Sequence, residues 1–298
     1  MRWIYEVGEG QEVTVLPAVR LAGVGIGIND RNLAGTKPVC RLAVPPATQV
    51  PPATVERDAG VAEEYYKLPE GNWPALLVAF PYVKPFLARQ EFFCYRDWAL
   101  DSGAFTAHGS GEVIDHEEYM ELCLRLLATD PTLTEVFSLD VIGDPVAGRR
   151  NAEREWERGI PSIPTFHFGS SWGHLMGLVA EFPKISLGGT VGLTGGSKLR
   201  WFGECFRRVW PKRIHGLGVS GRKALSMFPF HSVDASSWAT GPLRYGIWQS
   251  LGRGGEKGST QNLRAEIEYY LKLEREVQSR WKREMEMLEQ LPLGRGEG

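Results

Sequence analysis

The 298-residue chain has little of what marks the common functional classes. It carries only four cysteines, Cys40, Cys94, Cys123 and Cys205, scattered with no Cys-x-x-Cys pair. That excludes a disulfide framework and a zinc module of closely spaced ligands; the thiols are expected to be reduced and mostly buried. No stretch reaches the roughly 18–20 apolar residues that cross a bilayer. No secretory signal pattern opens the chain, so the expectation is a cytoplasmic protein without a membrane partner. The formal net charge is only -2. Such a balance gives no bulk attraction to a polyanion, and any contact with nucleic acid must rest on a local basic patch. The dinucleotide fingerprint Gly-x-Gly-x-x-Gly is not found in its proper setting, although Gly216-Leu-Gly-Val-Ser-Gly221 has the spacing, and Gly195-Gly-Ser-Lys198 has the wrong order for a phosphate loop. No cofactor and no metal are expected.

What is present is an ordinary globular composition, 43% hydrophobic and 23% charged, enough for a full core. Residues 1–74 predict short strands, including Val13–Leu16 and Val24–Ile28. A long loop or lid follows over 29–74, where Pro38, Pro45, Pro46, Pro51, Pro52, Pro69 and Pro74 interrupt regular structure. This segment is read as part of the same domain as the rest.

Over 75–258 short apolar strands alternate with amphipathic helices. The predicted strands are Ala75–Phe80, Trp98–Asp101, Glu135–Asp140, Ser162–Phe168, Lys184–Leu187, Arg213–Leu217, Phe230–Asp234 and Leu243–Gln249. The predicted helices are Asp115–Leu127, Val146–Glu157, Trp172–Phe182 and Lys198–Val209. This alternation predicts an α/β fold, a (β/α)8 TIM-type barrel with an N-terminal extension, the alternative being an open doubly wound sheet. Residues 259–298 predict one long helix from Ser259 to Leu291, packed on the barrel exterior or on a second subunit, then a polar tail.

Three predicted strands deliver an acid at their C-terminal ends: Trp98-Ala-Leu-Asp101-Ser-Gly-Ala-Phe105, Val136-Phe-Ser-Leu-Asp140 and Phe230-His-Ser-Val-Asp234. Any one of them could cap a turn, and Asp144 before Pro145 reads as a helix N-cap. Parallel strands, however, bring their C-terminal ends to one face, where barrel enzymes place their chemistry. Two carboxylates across a sugar carbon permit glycosyl transfer, one as nucleophile and one handling a proton. A third, accepting only, suits the adjacent N–H groups of a guanine-type base, and Phe105 offers a ring for stacking. Gly188, Gly189 and Gly218 let backbone approach a ligand, and His167 ends a strand where a further contributor would sit. His215 and His231 read as structural. Arg149, Arg150, Arg154, Lys198, Arg200, Arg222 and Lys223 follow predicted strand ends and supply a candidate basic rim, with Trp238 as a candidate stacking residue.

Taken in order, Asp101-Ser-Gly-Ala-Phe105, Leu139-Asp140, His167-Phe-Gly169, Leu187-Gly-Gly189, Gly216-Leu-Gly-Val219 and Val233-Asp234 resemble the tRNA-guanine transglycosylase superfamily. The likeness, over roughly residues 95–240, is greatest to its DNA-directed branch, the deazapurine-in-DNA protein A family. The resemblance implies exchange of guanine in DNA for a 7-deazaguanine base such as preQ0. Asp234 would be the nucleophile and Asp101 would move the proton. Asp140, Phe105, Ser102, Gly103, His167, Gly188, Gly189 and Gly218 would hold the base, and Arg222, Lys223, Lys198 and Trp238 the nucleic acid. His167 falls near a position where the RNA enzymes use glutamine. Two departures stand out. No cysteine follows Cys205, so the zinc subdomain of the RNA enzymes is missing, and Ala-Ser-Ser-Trp follows Asp234 where those enzymes have a Leu-Pro-Thr-Arg type of sequence. The alternatives are a zinc-free enzyme acting on tRNA and a non-catalytic nucleic-acid-binding barrel; a homodimer or a helicase-like partner is compatible with each.

Overall fold

The computed structural model describes residues 73–88, 90, 95–255 and 263–292, and the backbone of the strand segments 3–7, 11–15, 24–25 and 39–43. In chain order the strands are β1 (Trp3–Val7), β2 (Gln11–Val15), β3 (Val24–Gly25), β4 (Val39–Ala43), β5 (Ala75–Ala79), β6 (Trp98–Asp101) and β7 (Leu133–Phe137). They continue as β8 (Ser162–Ile163), β9 (Thr165–His167), β10 (Lys184–Gly188), β11 (Arg213–Gly216), β12 (Ser232–Asp234), β13 (Ile247–Trp248) and β14 (Arg253–Gly254). β1 and β2 form an antiparallel hairpin.

The architecture is mixed α/β, with two four-stranded parallel arrays, β5-β6-β7-β8 and β9-β10-β11-β12. β4 lies between β12 and β5, parallel to both, with Arg41 opposite Asp234 on one side and Ala75 on the other. β8 and β9 are separated by Pro164 alone. Proline has no N–H for a ladder, but its carbonyl accepts from Ser186 N–H at 2.8 Å, while the Ile163 carbonyl accepts from Ser138 N–H at 3.0 Å. One extended stretch thus serves first one array and then the other.

Alternation along the strands sets their two faces. Leu76, Val78, Trp98, Leu100, Val136, Phe166, Ile185, Leu187, Ile214 and Val233 pack into the main core with apolar residues of the helices. The opposite face carries Leu77, Ala99, Phe137 and Ile163, and it also carries buried polar groups, among them Glu135, Lys184, Ser186, His215, Ser232 and Asp234. The crossover helices form where the apolar periodicity places them. Asp115 caps His116–Thr129, whose Tyr119, Met120, Leu122, Cys123 and Leu126 are buried, and Asp144 caps Pro145–Glu157 through Ala147 N–H at 2.9 Å.

Two expectations are corrected. Leu243–Gln249 is not a parallel strand: Pro242 opens a wide helical turn over Gly241–Tyr245, Gly246 at φ 65° ends it, and β13 pairs antiparallel with β14. A parallel strand lies instead in the proline-rich segment. Val39–Ala43 is a proline-free run just after Pro38, a place where proline interrupts no ladder bond. Apart from residues 73 and 74, the rest of the expected 29–74 lid lies outside the described residues.

The C-terminal helix is broken at Trp281 into Leu263–Arg280 and Lys282–Glu289, and its expected Ser259 cap lies outside the described residues. Its apolar face is spent within the chain. Ile267, Tyr270, Val277, Met285 and Leu288 are buried, Trp281 Nε1 donates to the Leu225 carbonyl at 2.7 Å, and the Arg213 guanidinium donates to the carbonyls of Leu288 and Leu291 at 2.8 and 2.9 Å. No helix among the described residues is long and apolar enough to cross a membrane.

Candidate active site

The acids come together where parallel strands end. Asp101 is the last residue of β6 and Asp234 the last of β12, His167 ends β9, and Asp140 lies three residues past β7. Open α/β sheets bind ligands outside these carboxyl ends. Burial is the main reason both catalytic candidates are raised, Asp101 to about 6 and Asp234 to about 7. The negative charge of Asp140 also pushes Asp101 upward, and that of Asp101 pushes Asp234 upward.

Each of the two is held by backbone donors. Gly103 N–H donates to Asp101 Oδ2 at 3.0 Å. Gly103 stands at φ 74° with the Pro81 ring against its Cα; a Cβ there would lie 2.5 Å from Pro81 Cδ. The glycine of the Asp-Ser-Gly stretch is therefore required twice, for its left-handed backbone and for the close approach of Pro81. Ser102 is buried beside it. On the other array, Gly218 N–H donates to Asp234 Oδ1 at 3.0 Å and His215 Nε2 lies 3.1 Å from the same oxygen. Gly218 thus grips the nucleophile candidate, and its N–H is not left for the substrate.

Asp140 is bonded to His167, whose Nε2 reaches Asp140 Oδ2. A carboxylate accepts only, so the ring donates. Gly188 and Gly189 follow directly: Gly189, at φ 69°, leaves a gap that a Cβ would fill at 3.1 Å from His167 Nδ1. Phe105, on the helix Ala104–Ser110 that follows Asp101, is 65% exposed, so its ring is open to a planar partner.

The expected nucleic-acid residues divide. Trp238 is corrected: its side chain is fully buried, packed in the main core, with no ring face open to a base. Arg222 is engaged by Glu276 and lies over the Tyr269 ring at 5.8 Å, which ties it to the C-terminal helix. Lys223 beside it is exposed, and Lys198 is partly exposed in the first turns of Gly195–Val209. Arg149 pairs with Glu153 and Glu181, and Arg154 with Glu117.

Several supporting residues escaped the sequence reading. Glu155, fully buried, accepts from Leu139 N–H at 3.0 Å and faces His116 Nε2 at 2.9 Å, so it anchors the segment that carries Asp140. His215, read as merely structural, touches Asp234. Its polar neighbours Arg213 and Ser232 at two-residue alternation were the available signal. A cavity of about 80 Å³ opens at the opposite strand ends, lined by Glu135, Ser162, Lys184, Arg213 and His231 among others. It lies at the beginnings of the strands, away from the acids.

Among the described residues no group of three or more His, Cys, Asp and Glu is placed to hold a metal. Cys123 and Cys205 are buried free thiols, each pushed up to about 12 by burial. No protein-family model matches the chain, and no curated protein matches it.

Proposed function

We propose that this chain is a DNA guanine transglycosylase that exchanges guanine for a 7-deazaguanine base through a covalent Asp234–sugar intermediate. On this reading β4 and the β8–β9 stretch close the two arrays into a (β/α)8 barrel with the acids at its mouth. One observation supports it most. Two carboxyls, Asp101 and Asp234, end parallel strands, one in each array, and each has an oxygen held by a backbone N–H.

The chemistry follows from that pair. Asp234, ionised, attacks C1′ of an unstacked nucleotide; the C1′–N9 bond breaks and its electrons go to the guanine, which takes a proton from Asp101. The second base then gives its N9 proton to Asp101 and attacks C1′, and the Asp234 ester bond breaks to restore the carboxylate. Two like charges near one another favour a state holding a single proton; Asp234 is the higher of the pair, so the first step needs that proton moved to Asp101 when the nucleotide binds. Asp140, stiffened by His167, accepts from the base edge, Phe105 stacks on it, and Gly188 and Gly189 present backbone to it. Lys223 and Lys198 meet phosphates.

Incubation with DNA and labelled 7-cyano- or 7-aminomethyl-7-deazaguanine tests the reading. Label is expected in DNA and lost in Asp234→Ala. Label in tRNA alone would replace DNA by RNA as substrate, and binding without label in either would leave a non-catalytic protein.

A further inference from the structure

Beneath Asp234 runs a line of buried polar side chains that the reaction above does not use. Lys184 Nζ donates to Glu135 Oε1 and, at 2.6 Å, to Ser232 Oγ. Ser232 Oγ lies 2.8 Å from His215 Nδ1, and His215 Nε2 lies 3.1 Å from Asp234 Oδ1. All five residues are buried, Ser232 and His215 completely. The line joins the cavity at the strand beginnings, which Glu135 and Lys184 help to line, to the acid at the strand ends.

Counting donors gives each bond a direction. An ammonium has three donors and no acceptor, so the Ser232 oxygen accepts from Lys184. The Ser232 oxygen keeps a second lone pair, so the next bond is decided from the other end: an ionised Asp234 Oδ1 accepts only, and the neutral ring facing it leaves Nδ1 bare for the Ser232 hydroxyl proton. The ring proton consequently sits on Nε2, aimed at Asp234 Oδ1. The Phe137 ring packs against the imidazole with centroids 4.5 Å apart and fixes its plane. Oδ1 therefore receives two donors, His215 Nε2–H and Gly218 N–H.

We propose that His215 is a positioning residue for Asp234: the Glu135–Lys184–Ser232 chain supports its Nε2–H tautomer, and that Nε2–H holds Oδ1, so that the ionised form of Asp234 is favoured and Oδ2 attacks the sugar. The proposal rests on Asp234 being the nucleophile. Among the described residues the charged or titratable groups beside Asp234 are Asp101 and His215. A hydrogen bond given to the ionised form favours that form. Its loss raises the Asp234 carboxyl and moves the acid limb of the rate profile to higher pH.

Ser232→Ala removes the proton that selects the tautomer. Its acid limb is expected to move up by about one pH unit, a rate about tenfold lower on the acid side, with KM for DNA unchanged. His215→Gln places an amide N–H near the Nε2 position without needing a tautomer. It should retain most of the rate, and adding Ser232→Ala to it should change nothing further. A merely structural role for Ser232 would lower stability but leave the pH profile in place.

The tautomer has a readout that needs no activity. Nitrogen-15 NMR of the histidine rings should show His215, assigned by its disappearance in His215→Gln, as the neutral Nε2–H form at pH 8 and as a mixture in Ser232→Ala. An Nδ1–H form or an imidazolium at pH 8, or a Ser232→Ala profile that does not move, overturns the proposal. A wild-type protein that transfers no base overturns the nucleophile reading instead, and the NMR result still decides the tautomer chain by itself.

Discussion

Replacing Gly103 by alanine separates two costs that the glycine avoids together. The residue stands at φ 74°, a conformation that costs an L-residue about 1–2 kcal/mol. Its new Cβ would also lie 2.5 Å from Pro81 Cδ and 3.1 Å from Cγ, well inside the ~3.5–4.0 Å at which carbons pack. A proline ring cannot swing aside as a long side chain can, so overpacking adds about 1–3 kcal/mol. Gly111 is the matched control, since at φ 76° it has no heavy atom within 4 Å of a would-be Cβ. Gly111→Ala should therefore lose only the backbone part. At this chain length 1 kcal/mol moves the melting temperature by about 2 °C, which predicts a fall of about 2–4 °C for Gly111→Ala and about 4–10 °C for Gly103→Ala. Thermal melts followed by circular dichroism measure both, and urea titrations with an unchanged slope confirm that the folded state is what changed. On the proposed function, Gly103→Ala should also lose base transfer beyond its loss of stability, because its N–H orients Asp101. Equal melting temperatures for the two variants would refute the packing of Pro81 on this turn and the account of how Asp101 is seated.

Asp234 lies above the ordinary carboxyl value of 3.8, at about 7, so its protonated form is the one folding favours. That contribution is whole below about pH 4 and is lost as pH rises through about 7. Asp234→Asn should accordingly be more stable than wild type at pH 8, by at most about 4 kcal/mol, and no more stable at pH 4, as read by urea unfolding; equal stability at pH 8 would count against its burial. Breaking the buried Lys184–Glu135 pair with Lys184→Met alone should cost about 3–5 kcal/mol, while the double replacement with Glu135→Leu should recover much of it, as read by urea unfolding. Glu155→Gln retains an acceptor for Leu139 N–H and should transfer base nearly as well as wild type, whereas Glu155→Ala should lose about 1–3 kcal/mol and slow transfer through Asp140. Arg222→Ala should change stability by no more than about 1 kcal/mol, because its pair with Glu276 is exposed.

The parallel strands were legible because their apolar runs end on acids and small residues, and six of the eight predicted strands match observed ones to within a few residues at each end. Ser162–Phe168 was legible as one strand, although Pro164 divides its hydrogen bonding between two neighbours. Val39–Ala43 was hidden by its proline surroundings, since composition over a long window outweighs five residues. Leu243–Gln249 misled for the opposite reason: an apolar run reads the same whether it pairs or turns, and only the positive φ of Gly246 decides. Asp101, Asp234 and His167 were legible as residues at strand ends, and Asp140 as one just past a strand, because the apolar runs stop there; their roles belong to the proposed function. Trp238 was misjudged because sequence cannot say which face of a short helix meets the core. His215 and Glu155 escaped because their importance lies in partners 19 and 16 residues away, a relation the fold creates.

Base choice, on the proposed reading, comes down to how Asp140 divides its two oxygens. His167 takes Oδ2, and Gly148 packs so closely that a Cβ there would lie 3.1 Å from Oδ1. The acceptor edge is thus held from two sides, and a fixed acceptor suits guanine, whose ring N–H and exocyclic amino group are adjacent donors. Hypoxanthine lacks the amino group. A hydrogen bond to a charged acceptor contributes about 1.5–3 kcal/mol, so DNA with hypoxanthine at the target should be exchanged about 10- to 150-fold more slowly than DNA with guanine. Asp140→Ala should slow guanine and bring the two rates together. His167→Gln, which retains a donor for Oδ2, should preserve the discrimination, and His167→Ala, which lets the carboxylate swing, should weaken it. Equal single-turnover rates on the two bases with the wild-type protein would remove Asp140 as the reader of the base, while the roles of Asp101 and Asp234 would stand or fall on the labelling experiment alone.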